Sequence, residues 1–300
     1  MTGPSARNSF RSGLVVAGFV LFWTAVGALI GSSSGRTEAP EVIGAAIAGA
    51  VAIGLVLWAV ARGPRLVLAV SGAHPADLTH DAALHEVVER VARAAGLAKP
   101  DVFVIEDPAP NAFATGSARA RASIAVTTGL LTTMDGDELE AIVAHEMGHI
   151  ASLDIRLLLV VSTLVGFSAL CVSVVWKATV TAQTRGEGAG PAIVPAMLAA
   201  SILSIVAVVV GPLTKLVLSR SRELRADEDA VLLTHDAAAL TRALGKLARN
   251  DRPFERFNHA VAPMCVDDPL QHHEGWTHRL FDTHPPIASR IAALEATTPG

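Results

Sequence analysis

Ala144-His145-Glu146-Met147-Gly148-His149 sets two histidines four residues apart, with a glutamate directly after the first. On a helix, positions i and i+4 share a face, so His145 and His149 can grip one metal ion. Glu146 then projects beside the open coordination position, where a general base belongs. The flanks predict the helix itself. Asp135, with Glu138 three residues on, forms a capping-box pattern just ahead of the motif. Leu139, Ile142, Val143, Met147 and Ile150 supply an apolar stripe at helical spacing, giving a helix over 135–153. Gly148 lowers helix propensity, and it is expected where a bulkier side chain would crowd the metal face. Two histidines and a glutamate on or beside a core face are expensive to bury unless something satisfies them, and a metal does.

A catalytic metal site needs a third protein ligand and an open fourth position. The stretch Ser219-Arg220-Ser221-Arg222-Glu223-Leu224-Arg225-Ala226-Asp227 offers Glu223 and Asp227, again at i and i+4. Glu223 can ligate, while Asp227 can orient a ligating imidazole from behind. The competing reading is a solvated, salt-laced helix face, since Arg220, Arg222 and Arg225 surround the pair.

Four blocks in this order resemble a known family: Asn111-Ala112-Phe113-Ala114-Thr115-Gly116 with Ala125-Val126-Thr127-Thr128-Gly129-Leu130-Leu131; His145-Glu146-Met147-Gly148-His149; Arg222-Glu223-Leu224-Arg225-Ala226-Asp227; and Thr283-His284-Pro285-Pro286. They are similar to the HtpX-type membrane zinc metallopeptidases, relatives of the CAAX prenyl proteases. One departure is Leu224, where that family usually carries an aromatic. The resemblance implies one Zn2+ per chain on His145, His149 and Glu223, with Glu146 as catalytic base and Asp227 behind a ligand. It also implies an active-site role for His284 and a substrate-facing role for Asn111 and Phe113. The fold it implies is an integral membrane protein, mainly α-helical with a small β-sheet. Four transmembrane helices would accompany a gluzincin-like metallopeptidase domain. Residues 251–275 match none of the family's blocks.

Residues 102–105 and 123–127 read as short strands bounded by turn residues, with Asn111 to Gly116 between them. A peptide can lie along such an edge by strand addition, held by an asparagine amide. Asn111 also reads as a plain turn residue after Pro108 and Pro110. The chain contains no tyrosine. The donor that stabilises the oxyanion of peptide hydrolysis must therefore be another side chain or a backbone N–H, and His284 is the choice here. Its rival role is as a neighbour of the N-cap of a helix over 287–296. His272, His273 and His278 fall in a polar stretch and read as solvent-facing. His74, His80, His85, His235 and His259 carry no ligand spacing.

Hydrophobic residues make up 51% of the chain and charged residues 17%, with a mean hydropathy of +0.45. That is too apolar for an ordinary soluble domain. The excess falls in four uncharged segments, 14–30, 42–61, 157–176 and 192–213. About 20 residues cross about 30 Å of hydrocarbon, so each is a transmembrane candidate. A signal peptide competes for the first and a buried core hairpin for the last two. No cleavage pattern follows the first segment, and a second apolar segment begins soon after, which favours an anchor. Trp23, Trp58 and Trp176 are candidate interfacial anchors.

Arg7 and Arg11 precede the first segment, Arg62 and Arg65 follow the second, and Lys215, Arg220, Arg222 and Arg225 follow the fourth. This bias predicts that the N-terminus and both soluble stretches face the cytoplasm from the plasma membrane. The expected organisation is a two-span hairpin at 1–62, a first catalytic part at 63–154, a second hairpin at 155–214 and a second catalytic part at 215–300. Neither catalytic part can complete the metal site alone. Further helices are expected over 77–97, 215–233 and 236–248.

A net charge of −4 gives no nucleic-acid signal. Cys171 and Cys265 imply no disulfide, as suits a reducing face. The expected activity is zinc-dependent endopeptidase cleavage of membrane or misfolded proteins at the bilayer, as in quality control or a stress response. The alternatives are a CAAX-type processing protease, for which four spans are few, and a non-catalytic zinc-stabilised scaffold or chaperone. A purely structural metal site has no use for Glu146. Oligomeric state has no signature in the sequence.

Overall fold

A computed structural model of the chain describes residues 3–32, 39–161, 220–250 and 286–297, together with residues 173, 177, 181 and 265. The first two helices, α1 (Gly3–Ser32) and α2 (Ala39–Val70), form an antiparallel hairpin. Their apolar stretches Ala6–Ser32 and Pro40–Val70 are 27 and 31 residues long, enough in length and composition to cross a membrane. Small residues let the two helices touch. A Cβ on Gly27 would stand 2.3 Å from the carbonyl oxygen of Gly44, so the backbones meet where no side chain fits. Leu14, Leu21, Ile47, Val51 and Leu57 point outward, exposed, as on a lipid-facing surface.

Both helices outrun the uncharged segments that announce them. α2 continues through Arg62, Pro64 and Arg65 to Val70, so the expected boundary at residue 62 falls inside a helix. The extra turns have a packing partner: Leu68 is buried against Phe113, Leu158 and Leu159 of the following domain. Of the other two apolar segments, only 157–161 and residue 173 are described. The segment at 192–213 lies outside the described residues, as do 251–264 and 266–285.

The domain that follows holds a four-stranded sheet of order β1-β2-β4-β3, with β1 Ala73–Pro75, β2 Asp101–Ile105, β3 Ala112–Gly116 and β4 Ala122–Thr127. β2 and β4 run parallel, while β1 on β2 and β3 on β4 run antiparallel. The two strands expected from the sequence are thus neighbours, and the Asn111–Gly116 stretch supplies the edge strand. Both faces of that strand are covered, however. Val102, Val104, Ala112, Ala114, Ile124 and Val126 face the main helical core, whereas Ile105, Phe113 and Ala125 face Leu68, Leu158 and Leu159. With both faces covered, β3 and β4 are buried at every residue.

The helices of this core are α3 (Ala82–Ala95), α5 (Gly136–Ser152), α6 (Arg220–Thr234), α7 (Ala237–Ala248) and α8 (Ile287–Thr297), with the short α4 (Thr128–Thr133) after β4. α3 starts five residues later than the sequence suggests. Asp77 instead accepts the backbone N–H groups of Thr79 and His80 at 2.8 Å, an Asx turn that holds the chain out of helix. Its other end follows the usual rule, with Gly96 at φ 65° closing the helix.

Candidate metal centre

α5 carries the histidines, and its ends are specified locally. Asp135 Oδ1 accepts the N–H of Glu138 at 2.9 Å, and Glu138 Oε2 accepts the N–H of Asp135 at 2.9 Å, the expected capping box. Lys246 of α7 closes an ion pair on the buried Glu138. The other end is less ordinary. Leu153 sits at φ 60°, a left-handed conformation that a leucine adopts only under constraint. Its N–H caps His149 and Ile150, and the turn folds Asp154 back beneath the metal face.

α6 crosses α5 at Gly148. A Cβ there would lie 3.3 Å from Ala226 Cα and 3.2 Å from Asp229 Cβ. The glycine expected to spare the metal face therefore spares the helix crossing. That close approach is what carries Glu223 to the histidines. Glu223 Oε2 lies 3.6 Å from His145 Nε2, and Glu223 Oε1 lies 3.7 Å from His149 Nε2. One ligand atom from each of the three residues falls within 4.8 Å of the others, and all three residues are buried. Donors around a tetrahedral ion with bonds of about 2.0–2.1 Å stand roughly 3.4 Å apart, so the set fits a metal with little adjustment.

Each histidine is fixed from behind. His145 Nδ1 is 2.9 Å from Asp227 Oδ1, and His149 Nδ1 is 3.1 Å from Asp154 Oδ2. A carboxylate at Nδ1 requires the proton there, which turns both Nε2 lone pairs toward Glu223. Asp227 is held in turn by Arg290 of α8, whose Nε and Nη2 reach its two oxygens at 2.9 and 2.6 Å. Arg290 Nη2, 3.3 Å from His145 Nδ1, is itself a donor and does not compete for that proton. Arg222 donates to Glu223 Oε1 at 3.0 Å.

The electrostatics call for a cation. Glu146, Glu223, Asp154 and Asp227 are buried carboxylates against the two buried guanidiniums of Arg222 and Arg290, so with both imidazoles neutral and every carboxyl ionised the centre carries two uncompensated negative charges, which protons or a metal ion must balance. Among the described residues, His145 Nε2 and both carboxylate oxygens of Glu146 make no hydrogen bond of good geometry. The backbone of Ala114 on β3 nonetheless favours the charged form of Glu146. Burial is the larger effect and pushes the Glu146 carboxyl above its ordinary value. Burial draws His149 down, but the charge of Glu223 and the hydrogen bond to Asp154 outweigh it and push it up to about 10. Without metal, then, the imidazolium form of His149 supports the fold at neutral pH, and that support is lost as pH rises through 10. A metal takes only the neutral ring, so its affinity rises with pH and its entry expels protons.

Asn111 is buried where β3 begins, its amide oxygen accepting the N–H of Ala112 at 2.9 Å. Thr127 ties this turn to β4 by accepting the N–H of Asn111 at 2.9 Å and donating to Ala109 O at 2.7 Å. Phe113, 1% exposed, fills the apolar layer against Leu68 and Cys265, and its backbone bridges to Cys265. Its ring is core packing, so only its backbone is placed to meet another strand, and Cys265 already bridges it. His284 lies outside the described residues.

Asp154 and Arg290 are absent from the expectations drawn from the sequence. Arg290 left a trace: it shares a face with Ile287 and Leu294, and an arginine on an apolar face needs a buried partner. Asp154 left none, because only the left-handed turn at Leu153 returns it to His149.

This helix pair, which brings two histidines and a glutamate together beside a second buried glutamate, is the arrangement of a metallopeptidase. The pattern of peptidase family M48 matches residues 79–298. The chain is similar over nearly its whole length to proteins described as Protease HtpX homolog. It is 34% identical to that of Tropheryma whipplei (strain TW08/27), covering 97% of this chain and 96% of the relative. It is 36% identical to that of Limosilactobacillus fermentum (strain NBRC 3956 / LMG 18251), covering 97% of both. The crystal structure of S. mikatae Ste24p shares the fold at a TM-score of 0.52 and 18% identity. That alignment covers 96% of this chain and spans 65% of the length of Ste24p. The chain belongs to peptidase family M48, among its HtpX-type proteases.

Proposed function

We propose that the chain is a zinc endopeptidase of the plasma membrane that cleaves membrane or misfolded proteins on the cytoplasmic side, in membrane protein quality control. The observation that carries the reading is the convergence of His145, His149 and Glu223 beside the buried Glu146. Three N/O donors with one position left open suit Zn2+. When bound, the ion polarises the scissile carbonyl and acidifies the attacking water.

The chain's own residues do the rest. Glu146, its carboxyl raised by burial, takes the proton of the attacking water and passes it to the leaving amine. Asp227 and Asp154 hold the two imidazoles in the binding tautomer. The substrate lies along β3, with Asn111 and Phe113 at the start of that strand and Ala114, whose backbone acts on Glu146, one residue further. His284 donates a hydrogen bond to the carbonyl oxygen as it gains charge. The spans at 157–176 and 192–213 would form a second membrane hairpin between the two catalytic parts.

Two experiments test this reading. Protein purified in detergent should hold about one Zn2+ per chain and cleave casein. A chelator should stop the cleavage, and Zn2+ should restore it. Full activity in metal-stripped protein would overturn the zinc assignment. For orientation, single cysteines at Arg36 or Gly186 in a cysteine-free background should react with an impermeant reagent outside intact cells. One at Asp251 should not, and the opposite pattern would place the active site outside.

A further inference from the structure

Asn8 is a polar residue within the first apolar span, yet it is 4% exposed and fully engaged with the peptidase domain. Its Nδ2 donates to Asp154 Oδ1 at 2.6 Å and to the carbonyl oxygen of Ser152 at 3.1 Å. Both partners are acceptors, so only the NH2 side of the amide can face them. The other oxygen of Asp154 holds His149 Nδ1. One amide group therefore spans the two residues that flank Leu153, the strained turn that sets Asp154 under the metal face. Strain of this kind persists where the surroundings fix it. Asn8, nearly 150 residues away in the chain, is part of those surroundings. Asn8 lies between Arg7 and Arg11, ahead of the uncharged stretch 14–30, where the helix meets the peptidase domain; a buried amide is expensive without a partner, and here the partner is a group that orients a metal ligand.

We propose that Asn8 is a positioning residue of the metal centre, acting through Asp154 on His149, so that the seating of the first membrane helix sets how tightly the metal is held. The proposal rests on the zinc reading above. Groups that orient a ligating histidine typically contribute 10- to 100-fold in metal affinity. Asn8 acts one bond further out, so its effect belongs at the lower end.

The test measures Zn2+ affinity of the full-length protein in detergent by chelator competition. Asn8→Ala should bind Zn2+ about 10-fold more weakly, and Asp154→Ala about 10- to 100-fold more weakly. The double variant should bind no more weakly than Asp154→Ala alone, because the two act in series. Ser12→Ala is the control. Ser12 is buried on the same helix and, among the described residues, donates to the carbonyl oxygen of Asn8, so its loss should leave affinity unchanged. Asn8→Ser keeps a donor too short to span both acceptors, and it serves if the alanine variant does not purify. Wild-type affinity in the Asn8 variants, an additive loss in the double variant, or an equal loss in Ser12→Ala would each overturn the proposal. Zn2+ binding unaffected by His149→Ala would overturn the zinc reading beneath it.

Discussion

Glu146→Gln, purified beside the wild type, should keep its full metal content and lose peptide hydrolysis. The substitution is nearly isosteric and removes only the ability to take a proton. Glu146 is not among the three residues whose donor atoms converge, so metal binding has no reason to change. Among the described residues its two oxygens make no hydrogen bond of good geometry, and glutamine keeps one acceptor oxygen for the backbone of Ala114, so the amide breaks no network on which α5 depends. The helix is fixed elsewhere, by the capping box at Asp135 and by α6 packed across Gly148. A positioned general base contributes about 10²–10⁴-fold, and in the proposed mechanism Glu146 serves both proton transfers, so turnover should fall by at least that range. Burial already disfavours the charged form of Glu146, so replacing it by a neutral amide should leave the variant melting no lower than wild type without metal. His145→Ala should lose metal and activity together. Turnover retained in Glu146→Gln at wild-type metal content would assign the base to another residue.

The sequence announced α5 to within one residue at each end because its signals are local. A capping box, an apolar stripe and an i, i+4 histidine pair all lie within one helix. The same holds for α7, where Asp236 accepts the N–H of Ala239 at 2.8 Å. Glu223 was legible for a similar reason, since it shares a face with Asp227 on one helix. What stayed hidden depends on chain reversal or distance. Asp154 reaches His149 only through a left-handed leucine. Arg290 reaches Asp227 from a helix 63 residues later, and Asn8 reaches Asp154 from a membrane helix. The length of α2 was hidden because charge at Arg62 and Arg65 marks the end of a membrane phase, not the end of a helix, and Leu68 continues into the core of the next domain. The edge strand was legible by its position. Its burial was not, because the layers covering it come from residues 68 and 158–159 and from Cys265.

Glu223 and Asp227 sit one turn apart on α6, and the geometry assigns them different work. Glu223 stands within 3.7 Å of Nε2 of both histidines, whereas Asp227 meets His145 at its other nitrogen, Nδ1. Glu223→Ala leaves two histidines, which should not hold Zn2+ through ordinary purification, and activity should vanish with the metal. Asp227 needs a gentler substitution. Arg290 is completely buried and pairs with both of its oxygens, so Asp227→Ala would strand a guanidinium at a cost of about 3–5 kcal/mol. Asp227→Asn keeps the volume and one acceptor for Arg290 or His145. Its affinity for Zn2+ should fall about 10- to 100-fold, with metal regained when Zn2+ is in excess. Zinc content, casein hydrolysis and melting temperature measured together separate the two residues. If Glu223→Ala retains zinc while Asp227→Asn loses it even in excess, the third ligand lies one helical turn later than Glu223. The pair Asp227→Leu with Arg290→Leu removes both charges at once. If Asp227 only balanced Arg290, that pair should bind zinc as tightly as wild type. If Asp227 orients His145, the pair should fold and still bind weakly, since no acceptor then fixes the proton on His145 Nδ1.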